Sequence, residues 1–200
     1  MRHVIFAVIL VLAAATGAAA DTREDADSAY QNGDYARAAQ LSRSLAEQGD
    51  AAAQFHLGVL YAQGRGVPED DQEALKWYRK AAEQGYAPAH YNLGWMYHQG
   101  QGVPQDYPAA RKWYRKAAER GFAQAQFALG LMYDSGRSVP QDFIRAHMWY
   151  TVAAAALSGD AGKISMKNRD DVASKMTAAQ IGKAQEMARR CQETKFKECD

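Results

Sequence analysis

The chain has little cysteine: two residues in 200, both within the last ten. That leaves the body of the sequence without thiolate or disulfide chemistry. It also lacks a surplus of either charge. Of its 24 basic and 23 acidic residues, one base, Arg2, falls in the leading segment, so the rest of the chain is balanced. A nucleic-acid binder needs a basic stripe against phosphates, and this balance argues against one. Metal-ligand spacing is missing too. His3 lies in the leading segment, while His56, His90, His98 and His147 are scattered. His90 and His98 stand eight apart on one expected helix, about 12 Å of rise, too far to share an ion. The GRG at 64–66 and GQG at 100–102 have neither a following GK[ST] nor a preceding strand, so they are turns and not phosphate loops. Asp70, Asp106 and Asp142 could suggest catalytic carboxylates, but each stands where a second helix begins, and capping accounts for it. No cofactor, metal or catalytic residue is expected.

Long apolar runs are absent except at the start. Arg2 and His3 precede an apolar stretch from Val4 to Leu12, and small residues then end in Ala18 and Ala20. A charged start, a greasy middle and an AxA site predict a secretory signal peptide over residues 1–20, cut after Ala20. As a retained anchor it falls short of the roughly 20 apolar residues that span a bilayer. No stable membrane insertion is expected after cleavage. No cysteine follows the site to take a lipid, and the expected location is periplasmic or secreted.

What the chain does have is repetition. LGVLYAQGRGVP at 57–68 returns as LGWMYHQGQGVP at 93–104 and as LGLMYDSGRSVP at 129–140. Gly58, Gly94 and Gly130 are 36 apart, as are Tyr61, Tyr97 and Tyr133, and Trp77, Trp113 and Trp149. A fixed period in this range marks a solenoid. Within a copy, Ala89, Leu93, Met96 and Tyr97 fall on one helical stripe, and Ala110, Trp113, Tyr114 and Ala117 on another. Between them GQGVPQD supplies glycines for left-handed backbone, a proline that cannot continue a helix, and Asp106 as a cap. Each copy is therefore a helical hairpin.

This pattern resembles the Sel-one-like repeat, the longer-looped relative of the tetratricopeptide repeat. Ala53, Leu57, Gly58, Tyr61, Gly64, Gly66, Val67, Asp70, Ala74, Trp77, Ala81, Ala82 and Gly85 carry the resemblance in the first copy, and the second meets it equally well. The third departs at Ser138, where a loop glycine belongs, and at Leu157, where the closing glycine belongs. The resemblance implies an all-α, right-handed α-solenoid with a 36-residue repeat, divided as 50–85, 86–121 and 122–158. Residues 21–49 read as a worn, tetratricopeptide-like hairpin with NGDY at its turn, an N-terminal cap. Residues 159–200 read as a C-terminal capping hairpin and tail. There SGDAG at 158–162 breaks a helix, a helical stretch runs from about Ile164 to Met176, and Thr177 with Gln180 forms a capping box. In an oxidising compartment Cys191 and Cys199 are candidates for a disulfide that staples this terminus, provided the last helix ends near Thr194.

The first helices carry a second apolar face that the hairpin core does not explain. Phe55, Val59 and Ala62 lie nearly opposite Leu57 and Tyr61, and their equivalents are Tyr91, Trp95 and His98, then Phe127, Leu131 and Asp134. In tetratricopeptide relatives such positions line a concave groove that holds partner segments, which implies an exported interaction scaffold or adaptor. Its partner would be another protein, located in the envelope. Packing between adjacent repeats is the other account of the Phe55 row. A glycan ligand of the cell envelope or of an exopolysaccharide suits the aromatic rows as well. A hydrolase is the third class, since a cysteine-rich, β-lactamase-like branch shares the resemblance, but its repeats each carry a cysteine pair and these carry none. The recurring bases Lys76, Arg79, Lys80 and Lys112, Arg115, Lys116 read as a solvated helix face.

The exported chain is expected to begin at Asp21, checked by N-terminal sequencing of protein recovered from beyond the inner membrane. A full-length, membrane-retained chain would refute cleavage.

Overall fold

A computed structural model of the chain describes residues 22–137 and 139–199. The expected signal segment and Ser138 lie outside the described residues. Among the described residues there are ten helices and no strand: α1 (22–31), α2 (Tyr35–Glu47), α3 (Ala51–Gln63), α4 (Asp71–Glu83), α5 (Ala87–Gln99), α6 (Tyr107–Ala118), α7 (Ala123–Ser135), α8 (Phe143–Ala156), α9 (Gly159–Ala173) and α10 (Ala178–Glu193). They fall into two compact units, one ending at Tyr86 and one starting at Ala87. The first holds α1 to α4, the second α5 to α10.

Local chemistry sets the helix ends. Asp50 accepts a hydrogen bond from the Ala53 amide at 2.8 Å, Asp106 from Ala109 at 2.9 Å and Asp142 from Arg145 at 3.0 Å, while Asp70 accepts from both Gln72 and Glu73. Each cap satisfies an amide that the first helical turn leaves without a partner. Between helices the long loops close alike. The amides of Asp70, Asp106 and Asp142 donate to the carbonyls of Tyr61, Tyr97 and Tyr133 at 3.0, 2.9 and 2.9 Å. The third loop, despite its departing sequence, keeps this bond. Gly66 shows why glycine recurs in the first loop: its φ is +69°, and a Cβ would collide with the Tyr35 carbonyl.

In each full copy the first helix packs on the second, α3 on α4, α5 on α6 and α7 on α8. The stripes anticipated from spacing are the core: Leu57, Leu93 and Leu129 are buried beside Ala53, Ala89 and Ala125. One contact recurs in all three. A Cβ built on Gly58, Gly94 or Gly130 would lie 2.6–2.7 Å from the ring of Tyr78, Tyr114 or Tyr150. The tyrosines are themselves buried, so each helix pair closes only because the glycine leaves room for the ring. A second recurring device ties hairpins in series: Gln54 donates to the Ala46 carbonyl at 3.1 Å, and Gln126, two periods on, to the Ala118 carbonyl at 3.3 Å. Each amide thus adds a side-chain donor to a carbonyl at the end of the preceding helix that already accepts from the Gly49 or Gly121 amide.

At the C-terminus α9 and α10 both pack on α8. α8 ends with Leu157 in extended conformation, not with a left-handed glycine. The segment 158–162 differs from expectation. Ser158 is the N-cap and Gly159 already opens α9, so the helix begins five residues before Ile164 and ends at Ala173, short of Met176. Two glycines in a first turn lower helix propensity, but burial of Gly162, Ser165 and Val172 offsets it. Thr177 and Gln180 form a reciprocal capping box at α10.

Two substitutions separate close approach from ordinary helix propensity. Gly94→Ala gains up to about 1 kcal/mol of propensity but forces Tyr114 aside, so a net loss of about 1–3 kcal/mol is expected from the overpacking. Gly182, on α10 with nothing within 4 Å of its Cβ position, is expected instead to stabilise by roughly 0.5–1 kcal/mol as alanine. Leu93→Ala should cost about 2–5 kcal/mol. Denaturant melts of the three variants check the set, and a neutral Gly94→Ala would refute the glycine–tyrosine account.

Candidate functional site

The Phe55 row is half-buried and packs on aromatic neighbours. Phe55 meets Tyr78 and Tyr86 at ring-centroid distances of 5.7 and 5.4 Å, Tyr91 meets Tyr114 and Phe122 at 5.6 and 5.3 Å, and Phe127 meets Tyr150 at 5.6 Å. These rings sit on the glycine-seated tyrosines and, in two copies, on the residue that follows the closing glycine. Ser158 takes that place in the third copy, which lacks the second contact. Burial raises the Tyr91 phenol and pushes Tyr114 and Tyr150 far above the ordinary range, so all three stay neutral hydroxyls. Packing against the hairpin is thus the visible work of this row.

The second row is different. Trp95 is 45% exposed and Leu131 43%, whereas Val59 is half-buried. Trp95 and Leu131 belong to the first helices of consecutive hairpins within the second unit, at the same place in the repeat. Trp95 lies over the imidazole of His98, centroids 6.3 Å apart and planes 21° apart, and His98 sets its edge against Tyr107 at 5.2 Å. Burial first, then the charge of Arg137, holds the His98 pKa below its ordinary value. A neutral imidazole therefore backs the exposed indole. Asp134 is engaged from inside the unit, its carboxylate 3.7 Å from the Lys175 ammonium and accepting a hydrogen bond from the Tyr150 hydroxyl at 3.5 Å.

Phe55 and Val59 have a separate setting. In the first unit they wall a cavity of about 440 Å³ among α1, α2 and α3, with Ala38, Ser42 and Leu60 also lining it. The sequence did not reveal this cavity, because its other walls come from the worn hairpin, where agreement with the period is weakest. The glycine-seated tyrosines, too, stood out only as stripe members. The charged faces are more ordinary: Lys80 and Lys116 rest over Trp77 and Trp113 at 4.3 and 4.4 Å, and Lys76 pairs with Glu73 at 2.8 Å. Cys191 and Cys199 are joined in a disulfide, both buried, with the Phe196 amide donating to the Cys191 carbonyl at 2.7 Å and the Phe196 ring against Gly121. α10 ends at Glu193 with Thr194 as its cap, which lets the tail return. Among the described residues there is no cluster of three or more His, Cys, Asp or Glu able to hold a metal, and no helix long and apolar enough to cross a membrane.

Helical hairpins repeated every 36 residues, each closed by a glycine–tyrosine contact, define an all-α solenoid protein. The Sel1 repeat model matches residues 26–50, 51–86, 87–122 and 123–156. The chain belongs to the Sel1 repeat family, whose members are generally protein–protein interaction scaffolds and typically not catalysts. Its first matched repeat takes in most of the worn hairpin.

Among the solved structures similar to this chain are the following two. One is c5321, a protective antigen present in uropathogenic Escherichia coli strains and displaying an SLR fold, at 34% identity and TM-score 0.72 over 82% of this chain. The other is a Sel1 repeat protein from Oxalobacter formigenes, at 35% identity and TM-score 0.58 over 68% of this chain. The chain spans 34% of the length of the first and 62% of the second. No curated protein matches it.

The His98 environment has a measurable consequence. A folded-state pKa below the unfolded value of about 6.5 means that its contribution to stability is complete above that pH and is lost as pH falls through the lower folded value. A proton titration of the His98 ring by NMR should show a midpoint below 6.5 that rises when Arg137→Gln removes the neighbouring charge. A midpoint at or above the free value would contradict the burial of this ring.

Proposed function

We propose that this protein is an exported scaffold that holds a segment of another, envelope-located protein against the first-helix face of its second unit. The supporting observation is the exposure of Trp95 and Leu131 at one repeat position. Packing gives no reason for variety there, yet the residue is Val59, Trp95 or Leu131 in copies whose framework scarcely changes. Exposed aromatic anchors carry a disproportionate share of interface energy. Trp95 would serve as the anchor, with Leu131 as a second apolar contact and the half-buried rings of Tyr91 and Phe127 as the floor beneath. His98 would hold the indole flat. Export rests on the signal-like first twenty residues, and the buried Cys191–Cys199 bridge suits an oxidising compartment.

An indole backed by a parallel ring also suits the face of a sugar, which favours glycan as the second reading. A pull-down from envelope extract, run in parallel against peptidoglycan and polysaccharide, separates the two. Trp95→Ala is expected to weaken capture of the protein partner at least about tenfold, because truncating an aromatic anchor often costs ~2 kcal/mol or more. The melting temperature should move little, since the side chain lies half outside the core. Capture unchanged by Trp95→Ala, or retention on glycan alone, would overturn the proposal.

A further inference from the structure

The cavity of the first unit is left open by the packing that closes the rest of that unit. Ala38, Ser42 and Leu60, all buried, form its floor, and Phe55 and Val59 its wall. Asp27 and His56 stand at the mouth, the imidazole Nδ1 3.5 Å from a carboxylate oxygen. A volume of about 440 Å³ far exceeds the ~30 Å³ share of one water and falls within the ~300–1,000 Å³ of small-ligand sites. At the wall the chain has its smallest residue of the series, since the positions equivalent to Val59 carry Trp95 and Leu131. The space is thus a property of this copy and not of the repeat in general.

Charge selects the occupant. Residues 21–86 hold 12 acidic and 7 basic side chains, and α1 alone sets Glu24, Asp25 and Asp27 against Arg23. At the mouth the Tyr30 hydroxyl is already engaged, accepting from Arg65 at 3.1 Å. Asp27 is half-exposed and its carboxylate faces the His56 imidazole, so a cation arriving there meets an accessible anionic group. The interior offers apolar walls with one hydroxyl, Ser42, at depth. We infer that this cavity is a peptide pocket: it takes one bulky apolar side chain of a partner segment, and the adjacent lysine or arginine of that segment pairs with Asp27. The inference rests on the protein being a protein-binding scaffold, but not on the Trp95 face, which lies in the other unit.

The test is calorimetric titration of the full chain with three octapeptides that differ only in their central pair: Phe-Lys, Phe-Glu and Ala-Lys in a Gly-Ser background. Phe-Lys is expected to bind tightest, with about a tenfold loss on removing the ring and roughly a three- to fivefold loss on reversing the charge. Val59→Trp places the residue of the next repeat at this wall and fills the cavity. It should abolish binding, while Trp95→Ala leaves binding intact. Asp27→Asn, at the exposed mouth, should erase the preference for Phe-Lys over Phe-Glu without touching the fold. Equal affinity for all three peptides, or full binding by a folded Val59→Trp, would overturn the inference. So would a concentration-dependent rise in mass that Val59→Trp removes, since the cavity would then be an interface between two copies. Loss of envelope-partner capture in Trp95→Ala alongside unchanged peptide binding would show the two sites to be independent.

Discussion

A tyrosine ring lying on a glycine is the contact on which the rest depends. Tyr78 on Gly58, Tyr114 on Gly94 and Tyr150 on Gly130 bring the two helices of each hairpin together at a distance that any Cβ would prevent. The ring is then buried from both sides, and its outer edge becomes the support for Phe55, Tyr91 or Phe127. A half-buried aromatic row follows in turn from the seam. So the same constraint that closes the core determines which first-helix positions are spent on packing and which remain open. It leaves Val59, Trp95 and Leu131 as the positions where a side chain can vary without disturbing the hairpin.

Variation at those positions has opposite outcomes in the two units. In the second unit the large side chains project to solvent, and Trp95 is backed by His98, which burial keeps neutral. In the first, valine withdraws from the same position and a cavity opens against the N-terminal hairpin. An exposed side chain and a cavity thus arise at one repeat position with a change of side-chain volume, on backbones that share their caps and loop closure. Repeat proteins diversify binding in this economical way because each copy contacts chiefly its neighbours, so that one position can change without propagating strain.

Much of the frame was legible. The period, the hairpin, the aspartate caps, the Thr177 capping box and the buried leucine stripe all follow from local spacing, and local spacing is a strong signal when a helix has one side to bury. The extent of α9 was less so. Ser158 to Gly162 carries two glycines and reads as a break, but burial of Gly162 and Ser165 against α8 outweighs their poor propensity. Of the candidate site, spacing could say which residues share a face and not what stands opposite that face. Phe55, Tyr91 and Phe127 fit a groove as well as they fit packing, and only the tyrosines and the residues after Gly85 and Gly121 distinguish the two. Spacing places Asp134 on the second apolar face with Ala62 and His98, yet Lys175, from beyond the repeats, pairs with it.

By itself the sequence determined the repeat, its 36-residue length, the helical hairpin and the cap at each second helix, because these are consequences of periodicity and of hydrogen bonds made within a few residues. Tertiary structure alone decided that the recurring glycine serves a tyrosine ring, that Trp95 is open while Tyr91 is half-covered, and that Val59 borders a cavity walled by α1 and α2. Those outcomes depend on side-chain volumes meeting across helices some 20 to 35 residues apart. Hydrophobic burial is non-directional, so a pattern of apolar residues specifies that a face is covered and leaves its covering to the packing of the whole unit.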